Sequence, residues 1–169
     1  ISIKEALESK GISVKFDNRD THKPGWKFAE YELKGVPIRL AIGMRDLDKG
    51  TIEIARRDTL EKETFPIANV EDKVDSLLTE IQKNLFNRAV DFRKANTHIA
   101  NSYEEFKTLI NKGGFVYAHW DGTSKTENTI KKDTKATIRC IPRDTKNTEG
   151  NCVYSGDKSE RMVLFAKAY

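Results

Sequence analysis

The stretch ELKGVPIRLAIGMRD, residues 32–46, decides the expected fold of the N-terminal half of this chain. Its centre, Val36 to Met44, is almost continuously apolar, which predicts a buried strand. Arg39 interrupts this run, and Arg45 and Asp46 follow at its exit. A charged side chain in a buried strand costs free energy unless it finds a partner or reaches the surface. The stretch therefore predicts either an edge strand with Arg39 in water or a strand whose polar residues bind a ligand.

Further elements are predicted before this strand. Residues Ile3 to Lys10 have the spacing of an amphipathic helix, and Ser13 to Asp17 alternates as a strand. A turn at Pro24 opens a short helix that runs through Leu33. A helix followed by a strand usually completes a unit begun by an earlier strand, so we expect a first strand upstream of Ile1.

After the strand, the sequence predicts a hairpin-like pair and then a long helix. A turn at residues 48–50 separates the apolar run from an alternating strand, Thr51 to Arg57, and a third strand lies near Glu63 to Ile67. From Val70 to about His98 the apolar residues recur with helical spacing. Those on one face are Val74, Leu77, Leu78, Ile81, Leu85, Ala89 and Phe92.

The remaining residues predict a second, smaller α/β unit. Helices are expected over residues 102–113 and 127–135, and strands at FVYAHW (115–120), ATIRCIP (136–142) and the terminal RMVLFAKAY (161–169). The fold class is therefore α/β with a mixed sheet. We divide the chain into an N-terminal domain, 1–68, a connecting helix, 69–99, and a C-terminal domain, 100–169.

Composition limits the classes of function. The chain has 169 residues, of which 33% are charged, with a formal net charge of +4. This modest excess fits a polyanionic partner and also fits an ordinary protein surface. No apolar run approaches the length that crosses a membrane. The two cysteines, Cys140 and Cys152, favour a reducing compartment over a disulfide scaffold.

Motifs of self-contained enzymes are absent from the sequence. It contains no phosphate-binding loop, no dinucleotide-binding glycine pattern, no H-E-x-x-H and no G-x-S-x-G. The histidines, His22, His98 and His119, lie far apart in the sequence, and none has a nucleophile beside it. No catalytic residue is therefore expected in this chain.

The polar residues around residues 32–46 suit the recognition of unpaired RNA bases. A guanidinium offers two donors to guanine O6 and N7, and a carboxylate accepts from the guanine amino group or ring N–H. An unpaired, single-stranded base exposes both of these edges. Glu32, Lys34, Arg39, Arg45 and Asp46 therefore form a candidate RNA-binding set.

Several motifs in order resemble one family. PGWKF (24–28), ELKGVPIR (32–39), G-x-R-D-L (43–47), ARRDT (55–59) and KET (62–64) are similar, in sequence and spacing, to the anticodon-binding domain of prolyl-tRNA synthetases of the archaeal and eukaryotic-like type. The resemblance continues through the long helix to ATIRCIP and the terminal VLFAKAY, so it covers essentially the whole chain. It implies a class II synthetase anticodon-binding domain followed by a small C-terminal domain.

The resemblance also implies a set of anticodon-binding residues. Carried over position by position, they fall on Glu32, Arg39, Arg45, Asp46 and Lys62. Proline codons begin with two cytosines, so the matching anticodon bases are guanines, which suit arginine and carboxylate side chains.

Four further cations are candidates for contacts with phosphates. They are Lys27, Lys34, Arg56 and Arg57. Because Arg56 and Arg57 are neighbours on a strand, they should point to opposite faces and cannot both face the RNA.

The whole enzyme that the resemblance implies ligates proline to its tRNA with ATP and Mg²⁺, as a cytoplasmic homodimer. Its catalytic domain, expected elsewhere in the same polypeptide, lies outside this chain, so the fragment alone should bind the anticodon stem-loop without aminoacylating. Neither a membrane nor DNA is an expected partner. The resemblance places the carboxylate of a terminal tyrosine, here Tyr169, toward the active site of the intact enzyme.

The resemblance implies a degenerate zinc site in the C-terminal domain. Many members of the family bind structural zinc through four cysteines, whose positions here become Asp121, Thr126, Cys152 and Ser155. Only one thiol survives, so zinc is not expected, and no other cofactor is expected in the fragment. The polar side chains should instead bond to loop backbone groups and close the same loops. Cys140, outside this set, should pack as a small apolar residue.

One alternative function remains open at this point. A module that kept the synthetase-like fold could serve protein interaction or regulation without RNA specificity. Loss of Glu32, Arg39 and Asp46 would have favoured that interpretation, and all three are present.

Overall fold

Two units make up the chain, and the computed structural model describes residues 2–143 and 149–168 of it. Unit 1 is Ile1–Arg88 and unit 2 is Ala89–Tyr169. The elements of unit 1, in chain order, are α1 (Ser2–Ser9), α2 (Pro24–Leu33), β1 (Ile38–Ala41), α3 (Met44–Lys49), β2 (Thr51–Arg56), β3 (Lys62–Pro66), a 3-10 turn (Ile67–Asn69) and most of α4 (Val70–Ala95).

Helices α2 and α3 begin and end where local chemistry allows. Pro24 stands at the start of α2, where its missing N–H costs no helical hydrogen bond. Helix α3 replaces both the end of the predicted strand and the predicted turn at residues 48–50. The Gly43 N–H donates to the Asp46 carboxylate at 2.8 Å, which satisfies a free donor at the first turn of α3. Gly50 ends α3 in the left-handed region, at φ 64°.

The sheet of unit 1 has the order β1-β2-β3, with both pairs antiparallel. One face packs into the core through Ile52 and Ile54 of β2, together with Leu7, Val70, Val74 and Leu77 from the helices. Among the described strands β1 is an edge strand, and its residues are half-buried rather than fully buried. The prediction that the strand within residues 36–44 lies at the edge of the sheet is therefore confirmed for β1.

The predicted strand Ser13 to Asp17 is wrong. None of these residues pairs with a strand of the part of the chain that is described. Alternation alone does not make a strand, because the backbone needs a neighbouring strand to complete its hydrogen bonds.

Helix α4 is shorter than predicted, because it ends at Ala95 and His98 lies in the next strand. Its first half buries Val74, Leu77 and Ile81, whereas Leu85 and Phe92 are exposed. The boundary between the two units falls inside this helix, between Arg88 and Ala89. The division into domains 1–68, 69–99 and 100–169 stays a prediction.

Unit 2 is built on a four-stranded mixed sheet. After the end of α4 its elements are β4 (Thr97–Ile99), α5 (Tyr103–Lys112), β5 (Phe115–His119), α6 (Ser124–Thr134), β6 (Ala136–Cys140), β7 (Gly150–Asn151), β8 (Lys158–Ser159) and β9 (Met162–Lys167). The sheet order is β4-β5-β9-β6, with β4 and β5 parallel and the other pairs antiparallel. Phe106 and Ile110 of α5 pack on Val116, Val163 and Phe165 of the sheet. Strands β4, β7 and β8 were not predicted, because two or three residues are too few to show alternation.

Cys140 does not pack in the core as predicted. It is exposed at the end of β6, an edge strand among those described. The pairing of β6 with β9 shifts between Ile138 and Cys140, and such a bulge turns the following side chain away from its expected face.

No described helix is both long and apolar enough to span a membrane.

Candidate nucleic-acid interface

The face of the unit 1 sheet opposite the core carries two of the predicted anticodon-binding residues. Ala55 of β2 lies opposite Arg39 of β1 on one side and opposite Lys62 of β3 on the other. Directly opposed residues of antiparallel strands share a face, so Arg39 and Lys62 lie in one cross-strand row. We call this side of the sheet the outer face. The small side chain of Ala55 separates the two cations.

Arg39 does not point freely into water. Its side chain is only 13% exposed, and its Nη1 donates to Glu53 Oε1 at 3.2 Å. The guanidinium carbon lies 3.6 Å from the ring centroid of Phe28, close enough for stacking with a cation–π contribution. Arg39 Nε is buried and has no hydrogen-bond partner among the described residues. Arg39 is therefore held on two sides within the protein.

Glu32 lies near the end of α2, on the same side of that helix as Phe28. The two residues are four positions apart, which is one helical turn. The Glu32 backbone carbonyl accepts from Arg57 Nε at 2.7 Å, which ties the end of α2 to the residue after β2. The Glu32 side chain is exposed and makes no ion pair or hydrogen bond with the described residues.

Arg45 and Asp46 lie beyond the opposite end of β1, in α3. The Asp46 carboxylate caps α3 through its Oδ2, so one of its oxygens is already used within the protein. The side chain of Arg45 is exposed and, like that of Lys62, has no partner in the described part of the chain. Of the five predicted anticodon-binding residues, Arg39 and Lys62 thus lie in one row on the sheet. Glu32 lies beyond one end of β1, and Arg45 and Asp46 lie beyond the other end.

The four candidate phosphate-binding cations differ in their exposure and in the contacts that they already make within the protein. Lys27 is only 17% exposed and binds the backbone carbonyls of Asp17 and Arg19. Arg56 is 16% exposed and is paired with Asp58 at 2.9 Å and Glu80 at 3.1 Å. Both therefore hold the fold together, which argues against phosphate contact.

The other two cations are more available. The ammonium of Lys34 lies 2.6 Å from Glu30, but its side chain is 58% exposed. Arg57 is exposed and uses its Nε on the Glu32 carbonyl. Arg56 and Arg57 contact different elements, α4 and α2 respectively.

Sequence reasoning missed Phe28 and Glu53, which contact Arg39 directly. The alternation of β2 places Glu53 on the same face as Ala55, two residues away. Only the pairing register shows that this face is also that of Arg39, and the register cannot be obtained from the sequence of β2 alone.

In unit 2, the Asp121 carboxylate joins three of the four degenerate zinc positions. Its Oδ2 accepts from the hydroxyls of Thr126 at 2.6 Å and Ser155 at 2.7 Å. Its Oδ1 accepts from both the N–H and the hydroxyl of Thr123, each at 2.9 Å. We call these residues, Asp121, Thr123, Thr126 and Ser155, the Asp121 cluster. Two of the predicted bonds to loop backbone are present, from Thr123 N–H to Asp121 and from Asp157 N–H to Ser155 Oγ at 3.3 Å, and the bonds among the side chains add to them.

Electrostatics within the Asp121 cluster favour the ionised carboxylate. Burial raises the pKa of Asp121, but the donors from Thr126, Thr123 and Ser155 outweigh it and hold the pKa well below its usual range. Cys152, the fourth position, is buried and lies in the turn that contains Ser155.

This donor set does not fit zinc. Both hydroxyls donate to the carboxylate that would have to be a ligand, and only one thiol is present. No group of three or more His, Cys, Asp or Glu side chains within residues 2–143 and 149–168 is arranged to hold a metal ion. Tyr169, predicted to face the active site of an intact enzyme, lies outside the described residues.

Comparison with known proteins matches both parts of the chain. The family model described as an anticodon-binding domain matches residues 1–77, and the one described as the C-terminal domain of prolyl-tRNA synthetase matches residues 103–169.

Curated relatives carry one name. A proline–tRNA ligase of Porphyromonas gingivalis is 60% identical over 99% of this chain and 34% of its own length. The proline–tRNA ligase of Christiangramia forsetii is 57% identical over 96% of this chain and 33% of its own. The proline–tRNA ligase of Cytophaga hutchinsonii is 54% identical over 97% of this chain and 34% of its own length. The chain thus spans about a third of the length of these relatives. With matches to both family models and relatives that cover nearly all its residues, it belongs to the prolyl-tRNA synthetase family, as an anticodon-binding domain joined to the family's C-terminal domain.

Proposed function

We propose that this chain recognises the anticodon of tRNA for proline through the outer face of its N-terminal sheet. The observation that carries the proposal is the row formed by Arg39 and Lys62, flanked by the exposed side chains of Glu32 and Arg45. Three of these side chains, Glu32, Arg45 and Lys62, have no partner among the described residues. They can therefore bind a ligand without first breaking an ion pair.

Each residue type has a role that guanine chemistry allows. Arg39 donates to O6 and N7 of a guanine, whereas the Glu32 and Asp46 carboxylates accept from the amino group and the ring N–H. Arg45 and Lys62 bind bases or backbone phosphates, and Lys34 and Arg57 add phosphate contacts. The RNA partner is a single-stranded loop, because only unpaired bases present these edges together.

The whole protein, on this proposal, is a proline–tRNA ligase that uses ATP and Mg²⁺ in the cytoplasm and acts as a homodimer. Its curated relatives of that name support the proposal. The chemistry then belongs to a catalytic domain of the same polypeptide outside this stretch. The part played by this chain is to select the tRNA.

We also propose that unit 2 folds without zinc. The Asp121 cluster joins the segment around residues 121–126 to the turn around Ser155, which are the two segments that a metal would have to bridge. Each hydroxyl that replaces a cysteine becomes a donor to a single carboxylate. A charge-assisted hydrogen-bond network thereby supplies the connection.

Titration of this chain with an anticodon stem-loop of tRNA for proline tests the main proposal. Two comparison loops each carry adenine in place of one of the anticodon guanines. We expect the unaltered loop to bind about tenfold or more tightly than either comparison loop, because a bidentate guanine contact discriminates on that scale. Equal binding of all three loops would contradict base recognition and favour a protein-interaction module.

A further inference from the structure

Two residues hold the side chain of Arg39 from different directions. Phe28 comes from α2 and covers the flat side of the guanidinium. Glu53 comes from β2 and contacts its edge. We infer that Phe28 and Glu53 are positioning residues that fix Arg39 for the recognition of guanine. This inference rests on the proposed function and adds two residues to it.

Phe28 fixes the plane of the guanidinium. The distance of 3.6 Å between the guanidinium carbon and the ring centroid places the two groups in contact. A guanidinium is planar and stacks on an aromatic ring, which an ammonium cannot do. Because Phe28 belongs to the middle of α2, its own position is set by a helix rather than by a loop.

Glu53 fixes the rotation of the guanidinium within that plane. Ala41 is the residue opposite Glu53, and Ala55 is opposite Arg39, so Glu53 and Arg39 are diagonal neighbours on the outer face. Long side chains can bridge that spacing, and here Nη1 and Oε1 are 3.2 Å apart. With Nη1 held and Nε buried, a base can approach only through the remaining Nη hydrogens.

The pairing with Glu53 also changes what Arg39 can bind. A free arginine attracts any phosphate, whereas the Arg39–Glu53 ion pair has almost no net charge and therefore attracts a phosphate only weakly. A fixed pair of donors still matches guanine O6 and N7, because that contact depends on geometry. Holding the side chain before binding also removes the entropy loss of ordering it in the complex. Phe28 and Glu53 thus favour base recognition by Arg39 over phosphate binding.

The test compares binding of the unaltered stem-loop with binding of the adenine-substituted loops. For Glu53→Ala and for Phe28→Leu we expect the ratio of affinities to fall about three- to tenfold, as expected for losing the prior ordering of one long side chain. Glu63→Ala is the matched control, since it also removes one negative charge from the same sheet. Glu63 lies opposite Ile54, on the core-facing side, and should leave the ratio unchanged.

A double substitution identifies the residue through which Glu53 acts. In an Arg39→Ala background, Glu53→Ala should cause no further loss of discrimination, because the interaction it supports is already gone. An independent loss in that background would overturn the inference, as would an unchanged or increased ratio for Glu53→Ala alone. If Phe28→Leu unfolds the chain, Glu53→Ala decides the matter. Failure of the unsubstituted chain to discriminate is a different result, and it overturns the proposed function itself.

Discussion

Ser155 and Asp121 are 34 residues apart in the chain, yet the Ser155 hydroxyl donates to Asp121 Oδ2 across 2.7 Å. The same oxygen accepts from Thr126, so one carboxylate connects the start of α6 with the turn after β7. Two donors at one oxygen favour an ionised acceptor, because a protonated carboxyl could not accept both equally well.

Asp121→Asn should destabilise unit 2 by about 1–3 kcal/mol, since an amide nitrogen would face donors where an oxygen now accepts. Urea unfolding at pH 7, followed by Trp120 fluorescence in a Trp26→Phe background, measures this unit. Trp120 is suitable because its indole N–H donates to the Thr123 carbonyl beside the cluster, at 3.2 Å. The exposed Glu160 provides the control, and Glu160→Gln should change the free energy of unfolding by less than about 0.5 kcal/mol. A similarly small effect of Asp121→Asn would show that the cluster contributes little.

Removal of metal should leave the stability of unit 2 unchanged. The Asp121 cluster closes the loops with side-chain hydrogen bonds, so no zinc is needed to hold them. Thermal melts of the purified chain with and without a strong chelator should coincide, and metal analysis should find far less than one zinc per chain. A lower melting temperature with chelator, or stoichiometric zinc, would contradict the metal-free fold.

Acid should remove the contribution of Asp58 to the stability of unit 1. Hydrogen bonds from Arg56, and secondarily from Asn84, outweigh burial and lower the pKa of Asp58 to about 2. The unfolded value is about 4, so this contribution is complete above that pH and is lost as the pH falls from about 4 to about 2.

Asp58→Asn should therefore cost more stability at pH 7 than at pH 2. Urea unfolding at both pH values, followed by Trp26 fluorescence in a Trp120→Phe background, provides the comparison. An equal cost at both values would contradict the prediction, because it would mean that the charge of Asp58 adds nothing to the stability of unit 1.

In unit 1, the elements that could be predicted from the sequence are those that depend on residues close together in the chain. Helix α2 and strands β2 and β3 follow their patterns, because their turns and alternation are local properties. The strand predicted at residues 13–17 was wrong, because a strand needs a partner strand that no local pattern specifies. The contacts of Arg39 with Phe28 and Glu53 were equally inaccessible, since they depend on the register of β1 against β2 and on the packing of α2.

Lys27 and Lys62 should affect RNA binding differently, although both are lysines of unit 1. Lys27→Ala should destabilise unit 1, because the Lys27 ammonium binds the backbone carbonyls of residues 17 and 19. The affinity of the folded variant for RNA should be nearly unchanged. Lys62→Ala should weaken RNA binding, because its side chain is exposed on the outer face.

Salt dependence separates the roles open to Lys62. A phosphate contact predicts weaker binding to all loops and a shallower dependence on salt, by roughly one ion per contact, whereas a base contact predicts a loss of discrimination. Urea unfolding of both variants shows how much of each effect comes from stability. Weaker binding by stably folded Lys27→Ala would restore that residue as a phosphate contact.

Gly114→Ala should destabilise unit 2 more than Gly122→Ala does. Both glycines have positive φ, 90° and 81°, so an alanine at either position carries backbone strain of about 1 kcal/mol. At Gly114 a Cβ would also lie 2.4 Å from the Asn96 backbone carbonyl oxygen, whereas at Gly122 it would meet no atom within 4 Å. That carbonyl accepts from Phe115 N–H at 2.8 Å, so it cannot move away without losing a hydrogen bond next to the pairing of β4 with β5. We therefore expect a further loss of about 1–3 kcal/mol at Gly114, measured by urea unfolding with Trp120 fluorescence. Equal losses at the two glycines would show that strain at φ alone sets the cost.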